Sequence, residues 1–202
     1  MLTCPLPLKY ISHKQIRVDA FSVRHKNAGN VDYREAYANK LVERSFLAKV
    51  FVIYDTKYGN TKLAAESILD GIRAAEGIET AIGYVKEIDA EKVAEYDAIV
   101  LGAPNHMGRP SRIMKNFVDR LAELDLKARN VAVFGTYAGR VRDVDRAVKK
   151  LEKMVNTKLP KLNVVSPTLS VRVNGVTGPV VEGELPKCVA FGENVAHQLQ
   201  NQ

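Results

Sequence analysis

The chain is predicted to fold as a doubly wound α/β domain, a five-stranded parallel sheet with helices on both faces, behind an N-terminal extension. Three observations carry this. From Lys49 onward, runs rich in β-branched residues alternate with helical patterns, the rhythm that builds a parallel sheet. Tyr96–Leu101 (YDAIVL) ends in a continuous apolar run, as expected of a strand covered on both faces. The runs ending at Tyr54, Leu101 and Phe134 each pass into a loop of small and polar residues. Ligands of such sheets bind at these carboxyl ends, where the strand order reverses.

The elements follow in order. Lys49–Tyr54 is the first strand, and a helix from about Asn60 to Ala75 follows it. Ala64, Ile68 and Ile72 recur there at four-residue spacing with Leu63 beside them, and Gly77 is its stop. Thr80–Val85 is a short second strand and Tyr96–Leu101 the third. The next helix gathers Ile113, Met114, Phe117, Val118 and Leu121 on one face, with Pro110 near its start. Asn130–Phe134 is the fourth strand. Val144, Val148, Leu151 and Val155 then mark a helix that is strongly basic on its outer side, and Leu162–Val165 is a fifth strand. Ser166–Gly183, with Val171, Val173, Gly175 and Gly178, fits either a short hairpin or the continuation of an interrupted fifth strand. Leu185–Leu199 closes the chain as a helix. Residues 1–47 lack this rhythm; within them Val31–Val42 fits one amphipathic helix through Tyr33, Tyr37 and Leu41. The organisation read from the chain is an extension over 1–47 and one domain over 48–202.

Composition narrows the classes. With 202 residues, 46% hydrophobic and 26% charged, the chain can bury a full core. No apolar run approaches the ~20 residues of a membrane span, and the first residues lack a secretory apolar region. Cys4 and Cys188 are far apart, and His13, His25, His106 and His197 are scattered, so a metal site is not expected and a cytoplasmic location is. The net charge is +7, and residues 1–47 hold eight Lys/Arg against four acids. Such a surface favours acidic partners or bound anions. The basic residues are dispersed, without the interleaved aromatics of a single-strand binder, so nucleic acid is not the expected partner.

The loops carry the chemistry. In YDTKYGNT (54–61) a strand feeds a tight turn that opens a helix. Free backbone N–H groups and the positive helix end meet there, a ready-made phosphate site. Thr56 and Thr61 can add O–H donors, and Gly59 admits a positive φ; read alone, such threonines also serve as helix caps. The second loop is Gly102–Pro110 and the third Gly135–Gly139. Such turns can bring backbone donors to a flat, polar-edged ring while Tyr137 and Met107 cover its faces.

With these segments in order, residues 48–200 resemble a flavodoxin-like FMN domain, most closely the flavodoxin module of the flavodiiron (A-type) flavoproteins. The matching stretches are YDTKYGNT at 54–61, LGAPNHMGRPSRIMKNFVDRL at 101–121, VAVFGTYAG at 131–139 and GELPKCVAFGENVA at 183–196. The resemblance implies FMN as cofactor. Its phosphate would lie on Thr56, Lys57, Tyr58, Gly59, Asn60 and Thr61. Its ring would lie along Pro104, Asn105, His106, Met107 and Gly108, with Thr136, Tyr137, Ala138 and Gly139 on the other side. The chain has no Trp, so Tyr137 is the stacking aromatic this reading expects, and Gly139 stands where the module commonly has a further aromatic. Lys57 faces either the phosphate or water. Arg109, Arg112, Arg140 and Arg142 surround the same edge, where they either complement an acidic redox partner or are simply solvated.

No HxExDH run occurs, so an oxygen or nitric oxide reductase acting alone is not expected. The resemblance implies an electron carrier between a reductase and an acceptor protein, with a diiron or iron–sulfur protein among the candidate partners. One such arrangement is the flavin component of a split flavodiiron-type system. The alternatives are an NAD(P)H-dependent quinone or flavin reductase on the same fold, and an interaction module without flavin. Nicotinamide flavoenzymes of this fold need no GxGxxG, and the sequence leaves a homo-oligomer open.

Overall fold

The computed structural model describes residues 48–139 and 144–201. The Val31–Val42 helix, Arg140 and Arg142 lie outside the described residues. The strands are β1 (Ala48–Tyr54), β2 (Ile78–Tyr84), β3 (Ala98–His106), β4 (Arg109–Pro110), β5 (Asn130–Tyr137), β6 (Asn163–Val164) and β7 (Leu169–Arg172). The helices are α1 (Asn60–Arg73), α2 (Ala90–Val93), α3 (Arg112–Leu121), α4 (Arg146–Lys158) and α5 (Glu184–Gln200).

The sheet runs β2-β1-β3-β5-β6, with β7 also on β5, and every pairing is parallel except the β3–β4 hairpin. Strand order reverses at β1, because the chain goes outward to β2 and then crosses back to β3. The β1 and β3 ends therefore frame a crevice. The fifth position is an interrupted strand: Asn163 and Val164 pair with Asn130 and Val131, and Leu169–Arg172 with Phe134–Tyr137. A hairpin also forms just beyond it, through an antiparallel bridge between Val173 and Val180.

Apolar side chains fill both faces. Ile53, Ile99, Leu101, Val131 and Val133 pack under Met114, Phe117, Leu121 and Leu151 from α3 and α4. Val50, Val52, Val100, Ala132 and Phe134 pack under Ile68 and Ile72 of α1 and Cys188, Phe191 and Val195 of α5. Alternation along a strand sends neighbouring residues to opposite layers, and helical spacing supplies the covering rows. The caps differ in a way that bears on function. Ser111 caps α3 by accepting the Met114 N–H at 3.2 Å, whereas no side chain caps α1, α4 or α5, and of these three α1 opens at the carboxyl end of β1 beside the crevice.

Two strands run further than their apolar runs suggest. β3 continues through Gly102–His106 and β5 through Gly135–Tyr137, joined at Ala103 with Gly135 and Pro104 with Thr136. Much of the second and third loops is therefore strand.

Candidate functional site

The carboxyl ends of β1, β3 and β5 open onto a cleft of about 370 Å³, within the range of small-molecule sites. At one end lies the turn between β1 and α1. Gly59 takes φ 86°, a left-handed conformation open to glycine at little cost, and its N–H donates to Thr56 Oγ1 at 2.9 Å. The next amides, of Asn60 and Thr61, begin the helix and have no intrahelical acceptor to reach. With no side-chain cap, they are open to water or to an anion, and the helix dipole favours the anion. Lys57, in the same turn, is among the lining residues, with its Nζ over the Tyr58 ring.

Thr61 ties this turn to β5. Its Oγ1 stands 2.9 Å from Thr136 Oγ1, with both residues buried. Asn60 ties it to the 173–180 hairpin, its Nδ2 donating to the Thr177 carbonyl at 2.9 Å. That hairpin brings Val173 and Val176 to the cleft wall.

The β3–β4 hairpin forms the opposite rim. His106 pairs with Arg109, and Met107 and Gly108 make the two-residue turn with φ 52° and 76°. Positive φ at both positions is the geometry that matches strand twist in a tight hairpin. Asn105 supports the turn, its Oδ1 accepting the Gly108 N–H at 2.6 Å.

Of the residues singled out in the sequence, Thr56, Lys57, Tyr58, Asn60, Thr61, Pro104, Asn105, His106, Met107, Thr136 and Ala138 line this one cleft. Gly59 and Gly108 shape the turns behind it. Gly139 is exposed at the last described position of its loop. Tyr137 does not line the cleft. Because β5 extends to it, alternation turns Tyr137 away from the side that Thr136 faces, and its ring is buried. Burial, and then the nearby Glu184 carboxylate, raise its phenol above the ordinary value. The cleft aromatic is Tyr58, 45% exposed, with Lys57 Nζ 5.1 Å from its ring centroid. Neither Val173, which the sequence places only in a hairpin or continued strand, nor Val176 is expected at the site from the sequence. Their one signal was the turn-rich NGVTGP at 174–179, which marks a hairpin but not where it folds.

The residues fit a phosphorylated flat ring. Uncapped amides, a lysine and hydroxyls gather at one end, while Pro104, Met107, Val173 and Val176 offer apolar surface elsewhere around it. Among the described residues, no cluster of His, Cys, Asp or Glu could hold a metal ion, and no helix is long and apolar enough to cross a membrane.

Known proteins agree with this geometry. The model of the flavodoxin domain family matches residues 51–173. A flavodoxin of Aquifex aeolicus is 44% identical over 73 residues, which is 36% of this chain and 40% of that protein; the match thus spans less than half of the relative. The structure of flavodoxin 1 from Bacillus cereus superposes with a TM-score of 0.61 at 26% identity, covering 74% of this chain and 98% of that one. The flavodiiron core from Synechocystis sp. PCC6803 superposes with a TM-score of 0.62 at 19% identity, covering 85% of this chain and 42% of that one, a likeness of fold. Flavodoxins carry FMN, and the three strand-end segments, the reversal at β1 and the family match lead to one conclusion: the chain belongs to the flavodoxin domain family.

Proposed function

We propose that this protein binds FMN in the strand-end cleft and passes reducing equivalents between a reductase and an acceptor protein. The observation that carries this is the uncapped α1 amino terminus, opening into a cleft whose other walls come from β3, β5 and the 173–180 hairpin. FMN, when bound, supplies one- and two-electron chemistry; the protein supplies placement and water exclusion. Thr56, Lys57, Tyr58, Asn60 and Thr61 hold the phosphate by N–H and O–H donation, and Gly59, its own N–H held by Thr56, sets the turn that aims them. Pro104, Asn105, His106, Met107 and Gly108 form the ring's first wall, with Thr136, Ala138 and Gly139 at its far edge. Tyr137 acts from behind, fixing the end of β5. Val173 and Val176 shield the cleft from water.

A split flavodiiron-type arrangement, with a diiron or iron–sulfur acceptor on a separate chain, is the finer form of this reading. Its support is the fold shared with flavodiiron cores. The test is the visible spectrum of protein mixed with excess FMN and then desalted. A retained yellow species near one flavin per chain, weakened in Thr61→Ala, is expected; a colourless protein overturns the reading. Direct bleaching of the bound flavin by NADH would instead favour a nicotinamide-dependent reductase.

A further inference from the structure

The sheet sorts charge along its strand order. Residues 60–97, which supply α1, β2 and α2 toward the β2 edge, carry nine acidic side chains against four basic. Residues 105–120 and 144–161, which supply the β3–β4 hairpin, α3 and α4, carry ten basic against three acidic. The basic excess lies in one layer, since α3 and α4 cover the same face of the sheet and Lys158 of α4 pairs with Asp119 of α3 at 2.5 Å.

This layer reaches the cleft. The stem of Arg146 at the start of α4 lies against the hairpin turn, where a Cβ added at Gly108 would meet its Cδ at 3.5 Å. Arg109 is cross-strand partner of the cleft residue His106. From there Arg112 and Lys115 on α3 and Lys149, Lys150 and Lys153 on α4 extend outward. Lys149 pairs with Asp145 at 3.5 Å; Arg109, Arg112, Lys115, Lys150 and Lys153 have no carboxylate partner among the described residues. Beside them stands Met107, 101% exposed and the one non-glycine residue with positive φ among the described residues. The hairpin turn requires its left-handed backbone, and it holds the apolar side chain out in water rather than against the fold. An apolar Met beside arginines is the composition that interface cores favour.

We infer that this face, centred on Met107 and running over Arg109, Arg112, Lys115, Lys150 and Lys153, docks an acidic protein whose carboxylates surround its own redox group. The purpose rests on the electron-carrier reading above; the charge and shape of the surface do not. The sign of the face sets the sign of the partner, because potentials of several kT steer encounter and reject like-charged surfaces. Nucleic acid is the weaker occupant. Asp119, Asp145 and Glu152 interrupt the cations, and the aromatic of α3, Phe117, is buried in the core and gives bases nothing to stack on.

The test uses the full chain and two labelled probes of matched length, a glutamate oligomer and single-stranded DNA, read by fluorescence anisotropy at low salt. The glutamate oligomer is expected to bind, to weaken about tenfold in Lys150→Glu plus Lys153→Glu, and to change less than twofold in Lys86→Glu plus Lys92→Glu on the acidic side. Unchanged melting temperatures exclude misfolding as the cause. Tighter binding of DNA than of the glutamate oligomer, or no effect of the α4 pair, overturns the proposal. In the FMN-loaded, dithionite-reduced protein, oxidation by the trianion ferricyanide should slow with added salt, and slow again in the α4 variant. A salt-independent rate overturns the placement of the face at the electron's exit. Failure to retain FMN sinks the carrier reading, while the anisotropy arm still decides whether the face takes acidic chains.

Discussion

Thr61 and Thr136, 75 residues apart in sequence, share one hydrogen bond between buried hydroxyls 2.9 Å apart. It pins the first turn of α1, with its uncapped amides, to the end of β5, the third cleft segment. Replacing either residue by valine strands the other hydroxyl, which costs about 1–3 kcal/mol. Replacing both removes the orphan with little change of shape, so the double variant should recover much of that loss. Chemical denaturation of the two single variants and the double checks this. Additive losses would show that the pair is not coupled.

Asn60 couples the turn between β1 and α1 to the 173–180 hairpin through Thr177. Gly178 takes φ 98° there, and a Cβ would meet Asn60 Oδ1 at 2.3 Å. Asn60→Ala should free the hairpin while leaving the core intact, speeding amide exchange of Val173 and Val181 about fivefold to tenfold, as the loss of ~1 kcal/mol of local stability requires. Gly178→Ala should do the same by steric conflict. Exchange read by mass spectrometry, with β1 as an unmoved reference, decides the matter.

The sequence made the alternating order, the helices and three converging cleft segments legible, because apolar periodicity and glycine-bearing turns are local signals. Strand ends were not legible. Gly102, Ala103 and Gly135 lack the side chains that announce a strand, and only their pairing across β3 and β5 makes them one. The same cause displaced Tyr137. A residue read as part of a loop can face a ligand, but the second of two consecutive strand residues must face away when Thr136 faces in. Leu169–Arg172 was legible as one of two readings, the continuation of an interrupted fifth strand, and its pairing with β5 makes it that strand. Val173 and Val176 reach the cleft through a hairpin whose position depends on Asn60, a contact across 117 residues.

The α1–α5 contact rests on two glycines. A Cβ at Gly71 would lie 2.1 Å from the Val189 carbonyl oxygen, and one at Gly192 would lie 2.1 Å from that of Ile68. Both obstacles are backbone, so relief requires the helices to separate along their whole contact. Gly192→Ala should cost about 2–3 kcal/mol by overpacking. For a domain of this size that lowers the melting temperature by roughly 5–10 °C. Calorimetry on Gly192→Ala, with Ala190→Gly on the exposed side of α5 as a control for helix propensity, separates crowding from propensity. Ala190→Gly should cost no more than about 1 kcal/mol.

Glu184 gives the protein an acid-sensitive joint between β7 and α5. Its Oε2 accepts the Arg172 N–H at 3.0 Å and its Oε1 accepts from Lys187 Nζ at 2.6 Å. Burial alone would raise its pKa, but the hydrogen bonds and charges of Lys187 and Arg172 outweigh it and hold the carboxyl below its ordinary value of 4.5. A carboxylate depressed by folding adds stability that is present in full above the unfolded value and disappears as pH falls through the folded one. The wild-type protein should therefore lose stability below pH 4.5, while Glu184→Gln, already weaker at neutral pH, should lose less over the same interval. The two curves should converge at the acid end. Asp97 titrates in the same direction, its burial likewise outweighed by Lys127 and Lys49, so the difference between the curves isolates Glu184. Urea unfolding from neutral pH down to about pH 3 supplies both curves. A constant gap between them would mean that the Glu184 carboxylate is no better stabilised in the folded chain than in the unfolded one.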